Sequence, residues 1–287
     1  MFCVIINARI ATLLLFSVII KIMLEKNENI LYFDAHFHYA VCKDNDLMMP
    51  DFKWAGLSCA HSISEWNIQS QASQKVFQAF GLHPQSSVEF DEIQIAQNAD
   101  FLESLLENNK LDAIGEAGFD YFTSEYKNAA ALQEKMWNIQ LALAKQYKIP
   151  LVVHCRKANE KLFEYASELK KLPFVLFHSF MGSDVEAFSL VKRGIKCGFS
   201  FGKQMLNNNK KVILCVKELP LENLFMETDA PFQTLKGETL TKPSDIKKVY
   251  NAAWELRGKK EDFFEFAYKM KNHYNLFYDI NKRIQSV

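Results

Sequence analysis

The chain has 287 residues, 49% of them hydrophobic and 24% charged, with 24 phenylalanines available to fill a core, which excludes disordered and fibrous classes. Lys plus Arg and Asp plus Glu both number 34, so the formal charge is +0. No global field draws in a polyanion, and any such substrate must be gripped locally. Six cysteines lie scattered without a C-x-x-C pair, which points to a reducing, cytoplasmic setting and away from a cysteine-based zinc site.

In chain order, residues 1–29 come first as an apolar N-terminal segment. Ile10 to Ile20 is flanked by Arg9 and Lys21, short of the roughly 20 residues of a spanning helix but matching a signal-peptide core. Three readings fit it: translation that begins at Met23, an export signal or membrane anchor, and an extra packed helix. The first and third leave the protein cytoplasmic, and the second exports or anchors it.

From Ile30 onward, apolar runs of strand length alternate with helical stretches, the pattern of a parallel sheet built from βα units. Eight strands are predicted: Ile30 to His36, Ala55 to Ala60, Lys75 to Leu82, Leu111 to Glu116, Pro150 to His154, Phe174 to His178, Ile195 to Phe201, and Leu224 to Glu227. Leu132, Met136, Ile139, Leu143 and Tyr147 repeat at helical spacing and predict a helix over Lys127 to Tyr147. Further helices are predicted over Lys242 to Leu256 and Lys260 to Tyr278. No repeat or linker interrupts the span, so residues 30–287 read as one domain. An open doubly wound sheet gives similar runs; the positions of the histidines favour a closed (β/α)₈ TIM barrel of the α/β class.

Six of the seven histidines, His36, His38, His61, His83, His154 and His178, fall at or just beyond the C-terminal end of a predicted strand. In a parallel barrel those ends converge on one rim, where active sites are built. His36 and His38 are two apart in a strand and face the same way, so they can chelate one ion while Phe37 points into the packing. Glu116, set between Gly115 and Gly118, can aim two oxygens at a pair of cations, and Asp120 suits a supporting or capping role. His154 and His178 end their strands as imidazole ligands, and Arg156 stands where it can fork onto a phosphate. Asp229, two beyond Glu227, can share its direction and serve as ligand and general base, with Glu227 structural.

The motifs H-F-H at 36 to 38, G-L-H-P at 81 to 84, G-E-A-G-F-D-Y at 115 to 121, V-V-H-C-R at 152 to 156, F-H-S-F at 177 to 180 and E-T-D-A-P at 227 to 231 resemble, in order, the TatD family of metal-dependent deoxyribonucleases. The resemblance implies a metal-dependent hydrolase barrel with two divalent ions, Mg²⁺, Mn²⁺ or Zn²⁺. His36, His38, Glu116 and Asp229 would hold one ion, and Glu116, His154 and His178 the other. It also implies DNA as substrate. The local grip offered by Arg156, Lys157, Lys203 and His83, with Phe180, Phe201 or Tyr121 to stack on a base, favours single-stranded or frayed ends and hence exonuclease action, which the resemblance implies is 3'-5' exonuclease-like. The sequence departs from the family at Phe37, at Ser179 and in the segment after Pro231, which leaves substrate choice open. Two other readings stand beside the nuclease. One is an amidase, lactonase or phosphotriesterase acting on a small molecule; the other is a metal-holding barrel without catalysis.

Overall fold

The computed structural model describes residues 32–73 and 75–270. Eight strands, β1 (Tyr32–Phe37), β2 (Trp54–Ala60), β3 (Val76–Phe80), β4 (Ala113–Asp120), β5 (Leu151–Arg156), β6 (Val175–Phe177), β7 (Cys197–Phe201) and β8 (Leu224–Met226), form one sheet in sequential order, every adjacent pair parallel. The seam between β8 and β1 is joined just past the end of β8, where the Asp229 amide donates to the His36 carbonyl (3.0 Å) and the His38 amide to that of Ala230 (2.8 Å). The barrel thus closes through residues of the predicted site. Thr228 pins the same seam, its amide and hydroxyl donating to the buried Asp34 carboxyl at 2.8 and 2.6 Å.

Two apolar layers follow from strand alternation. Phe33, Ala35, Leu57, Cys59, Val152, Leu176 and Phe225 fill the barrel interior, while Phe37, Val153, Phe177, Phe199 and Met226 pack outward under the helices. The inward columns end on polar groups at the C-terminal rim: His154 follows Val152 by two, His178 follows Leu176, and Glu227 follows Phe225. In β1 and β4 the alternation alone would fail. One extra residue enters β1 between Asp34 and Phe37, and another enters β4 between Ile114 and Ala117. Each bulge lets a neighbouring pair break step, so His36 and Glu116 both join the cluster inside the rim.

The helix predicted over Lys127 to Tyr147 divides into α5 (Ser124–Asn128) and α6 (Ala130–Gln146), after α1 (Tyr39–Asp44), α2 (Ile63–Gln69), α3 (Ser86–Glu89) and α4 (Glu92–Glu107). Thr123 caps α5 by accepting from the Tyr126 amide, and the chain turns at Ala129 before α6 begins. Two buried glutamines of α6 then clamp the rim. Gln133 accepts from the Asp120 amide and donates to the Asp120 and Tyr126 carbonyls, and Gln140 brackets both backbone groups of Leu82. Beyond β5 come α7 (Asn159–Glu164), α8 (Ala166–Leu169), α9 (Asp184–Lys192), α10 (Lys210–Glu218) and α11 (Ile246–Leu256). The helix expected from Lys242 starts four residues later, at Ile246, after a 3-10 turn over Pro243–Asp245. Of the helix expected over Lys260 to Tyr278, residues 263–270 are helical, residues 260–262 precede the helix, and residues 271–278 lie outside the described residues. The N-terminal segment, residues 1–29, also lies outside them. Among the described residues no helix is long and apolar enough to cross a membrane.

Candidate metal centre

The side chains converge on Glu116, which is 2% exposed at the base of a cavity of about 1060 Å³ opening at the C-terminal rim. Its two oxygens face different partners. Oε1 lies 3.2 Å from His36 Nε2, 3.5 Å from His38 Nε2 and 3.0 Å from His61 Nε2. Oε2 lies 3.3 Å from His154 Nδ1, 2.5 Å from His178 Nε2 and 3.8 Å from His83 Nε2. Asp229 joins the first group through Oδ1, 3.4 Å from His36 Nε2 and 3.3 Å from that of His38. All six residues expected as ligands therefore meet in one place.

The gap between Glu116 and its strand neighbour β5 depends on glycine. Gly118 has φ +146, and a Cβ there would lie 1.9 Å from the His154 carbonyl oxygen. Gly115, at φ +155, likewise stands against Val152 of β5. What these glycines admit is the adjacent strand, whose close approach brings His154 to the carboxylate.

Ring orientation is set from behind. His154 Nε2 lies 3.2 Å from Asp120 Oδ2, so its Nδ1 turns toward Glu116. Asp120 is itself held by the Phe122 amide and the Gln85 side chain. A carboxylate behind an imidazole fixes its tautomer and raises its basicity. His36 Nδ1 rests 3.5 Å from Cys59 Sγ. His178 Nδ1 faces Glu227 at 3.7 Å, beyond hydrogen-bond range, and Glu227 accepts instead from the Ser200 hydroxyl, in keeping with a structural role. Asp229, at φ 53, keeps its second oxygen on the Gln233 side-chain amide at 2.7 Å.

The buried carboxylates and imidazoles perturb one another strongly. Burial pushes the Glu116 carboxyl up, but the His178 and His36 imidazoles outweigh it and hold the group well below the usual carboxylate range. Burial likewise opposes ionisation of Asp229, and the hydrogen bonds of His36 and His38 overcome it. Burial lowers His178, yet Glu116 carries it up to about 9. His36 and His154 are raised against burial by their carboxylate neighbours, whereas burial prevails at His38 and His83 and lowers them.

The donor set fits metal. Nitrogen and oxygen ligands sharing one ion at about 2.0–2.2 Å stand roughly 3.0–3.5 Å apart. His36 Nε2 to His38 Nε2 and His154 Nδ1 to His178 Nε2 are both 3.2 Å. Glu116 Oε1 and His61 Nε2 are buried without a hydrogen bond, as ligand atoms facing a common point would be. Among the described residues, four overlapping groups of three potential ligands include Glu116 in all but one.

The sequence model of the TatD-related DNase family matches residues 33–277. The chain belongs to the TatD family. It is 32% identical over 213 residues to the uncharacterized metal-dependent hydrolase YjjV of Escherichia coli K12, covering 71% of this chain and 77% of that one. The crystal structure of YjjV shares the fold, with a TM-score of 0.73 at 23% identity over 86% of this chain and 97% of that chain. A 3'-5' ssDNA/RNA exonuclease TatD from Pantoea ananatis is 31% identical over 177 residues, 58% of this chain and 65% of its own. By family the chain is a TatD-type metal-dependent hydrolase.

Other sequence expectations fare differently in this TatD-type site. Arg156 is exposed and lines the cavity, its guanidinium stacked 3.5 Å over the Phe122 ring. His83, expected at the substrate, lies inside the histidine cluster, 3.3 Å from His154 Nδ1. His61 received no role from the sequence although its place after β2 was the available signal. Lys203 cannot grip a phosphate: it is fully buried, its Nζ 2.5 Å from Glu238 and 2.7 Å from Asp245. Phe180 and Phe201 are buried at 3% and 0% exposure and cannot stack on a base, since both pack in the outer layer with Phe199.

Proposed function

We propose that the chain is a nuclease that hydrolyses phosphodiester bonds at the ends of single-stranded DNA, using two divalent ions shared by Glu116. One observation carries this reading: the two oxygens of a single buried carboxylate address two separate sets of imidazoles. His36, His38 and Asp229 would hold one ion and His154 and His178 the other. Bound there, the ions would acidify water and polarise the scissile phosphate.

The chain's own residues supply the rest. Asp229 directs Oδ1 at His36 and His38 while Gln233 fixes Oδ2, and it accepts the proton of the attacking water on a remaining lone pair. Arg156 receives a phosphate oxygen at the mouth, its plane held by Phe122. Among the described residues Arg156 is the only Lys or Arg lining the cavity, and with a formal charge of +0 the grip suits a strand end more than a long duplex. The name of the Pantoea relative, a 3'-5' ssDNA/RNA exonuclease, agrees in kind.

The test is to strip the protein with chelator, restore Mg²⁺, Mn²⁺ and Zn²⁺ in turn, and follow nucleotide release from single-stranded and duplex DNA beside small esters and lactones. Metal-restored release from single strands is expected. Turnover that persists in excess chelator, or that is confined to the small esters, contradicts the proposal.

A further inference from the structure

Three aromatic side chains stand exposed among the described residues, Phe122, Phe232 and Tyr268, and two of them flank the metal centre. Phe122 lies beneath Arg156. Phe232 lines the cavity directly, is 49% exposed, and meets the His38 imidazole edge to face with ring centroids 5.1 Å apart. An apolar ring left in water beside a ligand residue, when the neighbouring core has taken in every phenylalanine of β6 and β7, calls for an explanation.

The surrounding chain holds it out. The Phe232 amide donates to the Asp229 carbonyl at 2.7 Å, and the Thr241 amide to that of Pro231 at 2.9 Å. Gln233 donates to Asp229 Oδ2 and to the Ser179 hydroxyl. The far side of the loop is fastened by Lys203 through Glu238 and Asp245. Fastened at both ends by buried polar groups, the loop presents the ring instead of folding it away.

We propose that Phe232 is a specificity-determining residue: it stacks on the unpaired base of the nucleotide whose phosphate occupies the metal centre, and so selects single-stranded substrate. The assignment rests on the nuclease reading above. Its place one ring away from His38 is within a nucleotide's reach of the centre. A π face accepts any base, so the contact favours unpaired over stacked bases without reading sequence.

The experiment compares wild type, Phe232→Ala, Phe232→Leu and Phe232→Trp on single-stranded oligonucleotides in which one abasic tetrahydrofuran residue is walked through the last three positions of each end. At one position, loss of the base is expected to lower wild-type kcat/KM about 5- to 150-fold, the range of a base–aromatic stack. Phe232→Ala and Phe232→Leu should lose the same factor on intact DNA and show no further penalty at that position, and Phe232→Trp should restore it. Metal content should be equal in all four proteins. An abasic penalty that persists undiminished in Phe232→Ala, or an equal loss on intact and abasic strands, overturns the stacking role. Wild-type protein that releases nucleotides from none of these strands overturns the nuclease reading and the assignment with it, an outcome distinct from the other two.

Discussion

Lys203→Met removes the charge that fastens the loop after Pro231 while keeping most of the side chain's length. The lysine is 0% exposed and pairs with Glu238 at 2.5 Å and Asp245 at 2.7 Å; the acids are 28% and 8% exposed. Removing one member of a buried pair costs about 3–5 kcal/mol because its partner is stranded. Here both partners have recourse. Asp245 retains Lys248 at 2.8 Å and the Lys242 amide, and Glu238 retains the Leu235 amide and can turn toward water. The expected loss is therefore below that range, about 2–3 kcal/mol. Urea denaturation of the metal-free protein should show it as a lower midpoint at unchanged slope. Adding Glu238→Gln to Lys203→Met should recover part of the loss. Because the lysine is inaccessible, raising NaCl should leave the difference nearly unchanged. A variant within about 0.5 kcal/mol of wild type, the range of an ordinary surface substitution, would refute the claim that this buried pair fastens the loop.

Three further outcomes are expected. Gly118→Ala meets the His154 carbonyl at 1.9 Å and imposes φ +146 on an L-residue, so it should cost about 2–5 kcal/mol from overpacking and backbone strain together; wild-type-like unfolding and metal content would contradict the close approach of β4 to β5. Asp120→Asn removes the charge behind His154 and should weaken metal binding about 10- to 100-fold, read by competition with a chromophoric chelator; unchanged affinity would show that Asp120 does not set the His154 ring. His178, raised to about 9 when metal is absent, stabilises the metal-free fold fully below its ordinary value near 6.5, and that contribution is lost as pH rises through about 9. Metal must displace that proton, so calorimetry in buffers of different ionisation enthalpy should record proton release near pH 7.5 that declines above about pH 9. No release near pH 7.5 would contradict it.

Much of this was legible in the sequence because alternation and strand ends carry it. Val152 to His154 and Leu176 to His178 needed only a period of two and a parallel barrel. The remainder depends on geometry that is not local. The sequence reading ended the fourth strand at Glu116, yet β4 runs on to Asp120, and the bulges that turn His36 and Glu116 inward exist only against the neighbouring strands. Lys203 looked like a free cation because its acidic partners lie 35 and 42 positions away and meet it only when the loop folds back. Phe201 looked available for stacking until β7 turned its side chain outward under the helices. His61 and His83 follow strands like the assigned ligands do, and only the shared proximity to Glu116 distinguishes them from rim residues.

The central claim is that one carboxylate joins two metal ions, and anomalous diffraction from crystals grown with Mn²⁺ or Zn²⁺ tests it directly. Two peaks about 3.5–4 Å apart are expected, one touching Glu116 Oε1 with His36, His38 and Asp229, the other touching Oε2 with His154 and His178. A single peak held by His36, His38 and Asp229, with Glu116 bound to no ion, would contradict the account.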